Sequence, residues 1–209
     1  MIKFLIFDMD NTLFDTYGQL GVKILDEMIR RLKNAGLTPE QEKVMREKYL
    51  FTGFRILARQ LGLSEELKQI GMETYKSMDM SHITPYDDVF IIKQMEQKKA
   101  LVTSGTPEVQ LKKVEILKIG DLFGDVVVDE SNTPENKQKI FEELLKKNHV
   151  GPKETMVIGD NPESELLAGK NIGLVTVQIH RREYIRGETD YHIKDLRELK
   201  KLVKDCNNL

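Results

Sequence analysis

Apolar residues follow two rhythms along the chain. The opening run Ile2-Lys3-Phe4-Leu5-Ile6-Phe7 is short, apolar and rich in β-branched and aromatic residues, which predicts a buried strand. From residue 15 to residue 82 the rhythm turns helical. Leu20, Ile24, Met28 and Leu32 recur at four-residue spacing, with Leu25 and Ile29 beside them, and predict one amphipathic helix stopped by Gly36. Thr38-Pro39-Glu40-Gln41 reads as an N-cap with proline at the first helical position; it opens a second helix running toward Arg59 or Leu61, kinked at Gly53. Ser64-Glu65-Glu66-Leu67 opens a third, carrying Leu67, Ile70, Met72 and Tyr75.

After Thr84-Pro85 helices and strands alternate. Helices are predicted over 87–98, 107–117, 137–147, 163–171 and 196–204, and strands over 100–102, 123–128, 155–158, 174–179 and 191–193. Such pairing implies right-handed crossovers and a mostly parallel sheet covered on both faces. The expected fold is α/β, a doubly wound core formed by residues 1–14 and 83–209, interrupted by a helical insert at 15–82. Short connections near Phe14 to Tyr17 and Ser81 to Pro85 read as hinges.

Composition narrows the class. The 209 residues suffice for one substantial core with a smaller companion. With 40% hydrophobic and 32% charged residues and a formal net charge of -2, neither a nucleic-acid nor a membrane partner is expected. The single cysteine, Cys206, rules out an intramolecular disulfide or a thiolate metal cage, and no apolar run reaches the length of a membrane span. A cytoplasmic protein is expected, as a monomer or small homo-oligomer.

Candidate chemistry sits where the strands stop. Asp8 and Asp10 follow the first strand, Thr103-Ser104-Gly105 the second, and Gly159-Asp160 a later one, with Glu165 five residues on and Lys137 between. In open α/β sheets ligands bind outside the carboxyl ends of the strands. Two neighbouring carboxylates repel until a cation or a proton intervenes, which suits a metal ligand and a general acid. Carboxylates match Mg²⁺; a hydroxyl, backbone amides after Gly105 and a lysine match phosphate. Each piece alone also describes an ordinary turn, helix cap or surface lysine. Their joint occurrence in order favours function.

Those motifs together resemble the haloacid dehalogenase superfamily, in the phosphatase form with a helical C1-type cap inserted after the first motif. The resemblance covers essentially the whole chain. Phe7-Asp8-Met9-Asp10-Asn11-Thr12-Leu13 matches the first motif, Leu101-Val102-Thr103-Ser104-Gly105 the second, and Val157-Ile158-Gly159-Asp160 with Glu165 the fourth. The third is matched in part: many relatives place Lys-Pro-Asp-Pro before the Ile-Phe that corresponds to Ile140-Phe141, and Glu135 stands here at that lysine's register. Lys137 fits the spacing of other branches, with Lys139 as its rival. Glu165 replaces the usual Asp, and Ser104 replaces the Asn common after the motif II hydroxyl.

The resemblance implies a Mg²⁺-dependent phosphatase acting on a small phosphorylated metabolite. Asp8 would be the nucleophile that forms an aspartyl-phosphate, and Asp10 the general acid and base. Asp8, Asp160 and the main-chain carbonyl of Asp10 would bind Mg²⁺, and Thr103 or Ser104 with Lys137 would hold the phosphoryl group. A carboxylate two residues after the nucleophile belongs to the family's phosphatases and phosphomutases, which argues against dehalogenation. The rival expectations are a phosphomutase of the β-phosphoglucomutase kind and a catalytically weak module that binds Mg²⁺ and phosphate. Tyr17, Phe51, Phe54 and Arg55 in the insert read first as core or surface residues, Arg181-Arg182 as a solvated pair, and His180 and His192 as lacking the companions a transition-metal site needs.

Overall fold

A computed structural model describes residues 1–131, 133–181 and 186–208, apart from the side chains of residues 50–52. The chain divides into two compact units, one formed by Met1–Asp15 with Thr84–Leu209 and the other by Thr16–Ile83.

The larger unit is built on six strands: β1 (Phe4–Phe7), β2 (Lys98–Ser104), β3 (Asp125–Asp129), β4 (Thr155–Gly159), β5 (Val175–Ile179) and β6 (Tyr191–Ile193). Their order in the sheet is β3-β2-β1-β4-β5-β6, and every pairing is parallel. The chain therefore winds outward from β1 to one edge, returns, and winds to the other. β1 lies at the reversal, between β2 and β4, where open α/β sheets form their ligand crevice. Being central it is buried on both faces, and all four of its residues are apolar and enclosed.

Period-two alternation decides what each strand residue touches. Phe4 and Ile6 of β1 pack with Ala100, Val102 and Val157, and with Phe141, Leu144 and Leu166. Phe141 and Leu144 come from α6 (Pro134–Asn148), and Leu166 from α7 (Glu165–Asn171). The remaining helices of this unit are α5 (Pro107–Leu117), which packs against β3, and α8 (Leu196–Asn207). Full burial of each such Phe or Leu contributes roughly 1.5–3 kcal/mol, so this face anchors both helices firmly.

One expected helix is absent. Residues 87–98 instead hold a 3₁₀ segment, Val89–Gln94, and the start of β2 at Lys98. Buried Val89, Ile92 and Met95 recur every three residues, which fits the 3₁₀ repeat, and the β-branched run gives an α-helix little support.

The smaller unit is helical: α1 (Val22–Asn34) preceded by a π-helical turn at Tyr17–Gly21, α2 (Pro39–Thr52), α3 (Phe54–Gln60) and α4 (Glu65–Ser77). Thr38 caps α2 as its sequence predicts, accepting a hydrogen bond from the Gln41 N–H while the Gln41 side chain accepts from Thr38. Gly53 does more than kink a long helix. At φ 71° it divides α2 from α3, in a left-handed conformation that glycine adopts at little cost.

Candidate active site

The site is assembled at the carboxyl ends of the three central strands. Phe7 is in register with Leu101 of β2 and Ile158 of β4, and the Asp8 N–H donates to the Ile158 carbonyl at 2.9 Å, extending the pairing one residue past β1. The chain then turns. The N–H groups of Thr12 and Leu13 donate to the Met9 carbonyl at 3.3 and 2.9 Å, and Asn11 takes φ 59°, a left-handed position that its short amide side chain tolerates.

Even-numbered Asp8 continues the face of Phe4 and Ile6, the face that α6 and α7 cover. There the carboxylate oxygens of Asp8, Asp160 and Glu165 lie within 4.8 Å of one another, all three residues buried. Burial, and then the charges of Glu165, Asp160 and Asp10, push the Asp8 carboxyl well above the usual carboxylate range, with Lys137 opposing. Asp160 is raised likewise, by burial and then by Glu165 and Asp10. Lys137, 2% exposed, donates from Nζ to Ser164 Oγ at 2.9 Å and to Glu165 Oε2 at 3.3 Å. Burial disfavours its charge, but Glu165 and Asp8 outweigh that and raise it, so Lys137 stays an ammonium. Lys139 is exposed on the same helix.

Three buried carboxylates facing one ammonium leave negative charge uncompensated. An all-oxygen donor set of this kind fits Mg²⁺, a hard cation. Glu165 belongs to the cluster despite its extra methylene. Its Oε1 accepts the Asn161 N–H at 2.8 Å, and it lies so close to Gly159 that a Cβ there would fall 2.1 Å from Oε1.

Thr103 and Asp10 belong to a second group, built from α5. The Gln110 amide donates from Nε2 to Thr103 Oγ1 at 2.6 Å and to Asp10 Oδ2 at 2.8 Å, while Lys113 Nζ donates to Asp10 Oδ1 at 2.7 Å. Neither Gln110 nor Lys113 is singled out by the sequence reading. Both sit on the helix face that carries Val109, Val114 and Leu117 into the core, and polar residues inside an apolar helical stripe are the feature that marks them. Ser104 turns elsewhere: its hydroxyl donates to Asp129 Oδ2 at 3.3 Å, and Asp129 also accepts from the Ser131 N–H and the Asn136 amide.

Arg181 is not a solvated residue. Its side chain is 7% exposed, clasps buried Asp88 with two hydrogen bonds of 2.7 and 2.8 Å, and donates to the Thr12 carbonyl at 3.1 Å. It also lies 4.2 Å from the centre of the Tyr86 ring. Arg182 and the Phe51 side chain fall outside the described residues. Phe54 is buried, its ring filling the space above Gly71 of α4, whereas Arg55 is exposed and Tyr17 half-buried. His180 and His192 stack at 5.1 Å between ring centres and share a 2.9 Å hydrogen bond.

The family model for haloacid dehalogenase-like hydrolases matches residues 5–179. A glyceraldehyde 3-phosphate phosphatase from Methanopyrus kandleri is 29% identical over 98% of both chains. Among solved structures, a predicted phosphoglycolate phosphatase from Haemophilus somnus superposes with a TM-score of 0.74 at 20% identity, covering 97% of this chain and 98% of its own. A magnesium-bound HAD-hydrolase, YfnB from Bacillus subtilis, gives 0.64 at 18% identity, with 97% and 98% covered. With the family model spanning most of the sheet and every strand-end motif, the chain belongs to the haloacid dehalogenase-like hydrolases.

Proposed function

We propose that the protein is a Mg²⁺-dependent phosphatase that hydrolyses a small phosphate monoester through an aspartyl-phosphate on Asp8. The observation that carries this reading is the different surroundings of two acids two residues apart. Asp8 lies buried with Asp160 and Glu165 and feels the charge of Lys137, whereas both Asp10 carboxylate oxygens are engaged by Gln110 and Lys113. One carboxylate is thereby arranged to attack and the other to move a proton.

Asp8 and Asp160, with the main-chain carbonyl of Asp10, would hold Mg²⁺, and Glu165 is close enough to share or support that shell. When bound, the cation offsets the charge crowded around Asp8 and the phosphoryl oxygens. The Asp8 carboxylate then attacks phosphorus while the bond to the leaving oxygen breaks, and Asp10 supplies the proton that oxygen takes up. Thr103 and Lys137 hold the equatorial oxygens. In the second half Asp10 takes a proton from water, the water oxygen bonds to phosphorus, and Asp8 is released with inorganic phosphate.

The helical unit Thr16–Ile83 is assigned the part of a cap that chooses the leaving group and excludes water, a role supported by its insertion directly after the acidic loop. The relative named as a glyceraldehyde 3-phosphate phosphatase makes a three-carbon phosphate the first substrate to assay. Phosphate release from p-nitrophenyl phosphate with Mg²⁺ and with EDTA tests the chemistry. Asp8→Asn should keep the fold and lose at least about 10⁴-fold in kcat. An Asp8→Asn variant that still turns over rules out the nucleophile assignment.

A further inference from the structure

Lys113 is 1% exposed and sits on α5, remote in sequence from the acid whose carboxylate it meets at 2.7 Å. The Gln110 amide, three residues earlier on the same helix, engages the other carboxylate oxygen of Asp10 at 2.8 Å. Two donors on one helix face thus fix both oxygens of one carboxylate, and so fix its plane. Each oxygen retains a second lone pair, and the Asp10 side chain is 26% exposed, so it can still exchange a proton outward.

Gln110 shows that this arrangement is kept at a cost to the fold. Its Oε1 is buried and has no hydrogen-bond partner among the described residues. An orphaned acceptor in the interior is destabilising. Rotating the amide would turn the oxygen toward Asp10, replacing a donor by a repelling acceptor, so the orphan follows from keeping Nε2 on the carboxylate. The amide packs on Gly105, whose ideal Cβ would lie 3.1 Å from Gln110 Cδ. Gly105 also has φ 147°, which disfavours any side chain there. Because Nε2 donates to Thr103 Oγ1 as well, the Thr103 hydroxyl keeps its own proton to offer to a phosphoryl oxygen.

We infer that Gln110 and Lys113 are positioning residues that hold Asp10 in the orientation from which it protonates the leaving oxygen, and that Gln110 simultaneously orients the Thr103 hydroxyl. The inference rests on the phosphatase reading above. It goes further in giving α5 a part in leaving-group departure. Departure of a weakly basic oxygen needs little protonation, whereas departure of a basic one depends on it.

The test compares kcat/KM for p-nitrophenyl phosphate and phenyl phosphate, aryl esters whose leaving groups differ in basicity, with each variant's loss taken relative to wild type on the same ester. With Lys113→Met the loss on phenyl phosphate should exceed the loss on p-nitrophenyl phosphate by roughly ten-fold or more, the same signature in weaker form as Asp10→Asn. In an Asp10→Asn background, Lys113→Met should cost less than about two-fold further, since the group it positions is gone. Gln110→Met, which keeps the packing on Gly105, carries the same comparison should Lys113→Met fail to fold. Equal losses on the two esters overturn the positioning role while leaving the phosphatase reading intact. A wild-type protein inactive on both esters overturns the phosphatase reading and this inference with it.

Discussion

At the scale of single residues the active site is a problem of telling one lysine or acid from another. Lys137 lies on the stripe Lys137, Phe141, Leu144, Leu145 that α6 buries, and Lys139 points off it, so helical spacing alone separates the two candidates. Lys137→Met should lower kcat/KM by about 10²–10³-fold, the usual cost of losing one group that stabilises developing charge, and Lys139→Met should stay within about two-fold. The reverse order, measured on p-nitrophenyl phosphate, would move the phosphate contact to Lys139. The strand-end positions of Asp8 and Asp160 were legible because each follows an apolar run, and Asp10 stands on the loop just after Asp8; the roles proposed for them rest on the family resemblance. Gln110 and Lys113 were not, since such side chains are surface residues by default and only their unseen partner Asp10 gives them a buried role. Arg181 was misread for the same reason: its partner Asp88 lies 93 positions away.

At the scale of elements, strands and long helices follow the apolar rhythm closely, and departures occur where tertiary contacts decide. The 3₁₀ segment at Val89–Gln94 is one, and Asp88, which precedes it, gives it no side-chain cap, being committed to Arg181 and to the Leu196 N–H at 2.7 Å. Gly159 illustrates how one strand residue serves the next element. It ends β4 with no side chain, and α7 begins at Glu165, whose carboxylate occupies the vacant volume. Gly159→Ala places a methyl group 2.1 Å from Oε1 and 2.5 Å from Cγ, so Glu165 has to move. The expected result is a loss of about 1–3 kcal/mol in stability, as in overpacked cores. Calorimetric titration should also show Mg²⁺ affinity reduced by about ten-fold or more, as when groups supporting a metal shell are disturbed. A variant that is destabilised yet binds Mg²⁺ like wild type would place Glu165 outside the metal's support.

At the scale of the whole molecule, the buried acids tie stability to pH and, under the proposed Mg²⁺ reading, to the cation. Asp8 and Asp160 are raised in the folded protein, so the unfolded chain gives up these protons more readily. Without metal, stability is therefore full while both are protonated and falls as pH climbs from the ordinary carboxylate range through their folded values. Lys137, raised as well, adds stability that persists below the ordinary lysine value and fades only at still higher pH. His180 and His192, lowered by burial and by Arg186, act in the opposite sense to the acids, with and without metal alike. The difference between Mg²⁺ and EDTA melting curves therefore isolates the acids, and the rise in Tm on adding Mg²⁺ should grow as pH climbs above the ordinary carboxylate range. A rise independent of pH would detach the cation from Asp8 and Asp160. No helix among the described residues is long and apolar enough to cross a membrane.

The buried clasp around Arg181 also has a meaning in time. Thr12, on the loop that carries the acids, is made before its partner: the guanidinium that holds its carbonyl arrives 169 residues later. The Leu196 N–H that completes the partner Asp88 comes later still. β1 likewise stands between strands that both follow it in the chain. A growing polypeptide therefore exposes its acidic loop before it owns the residues that hold it, and these contacts close only once Leu196 has been made.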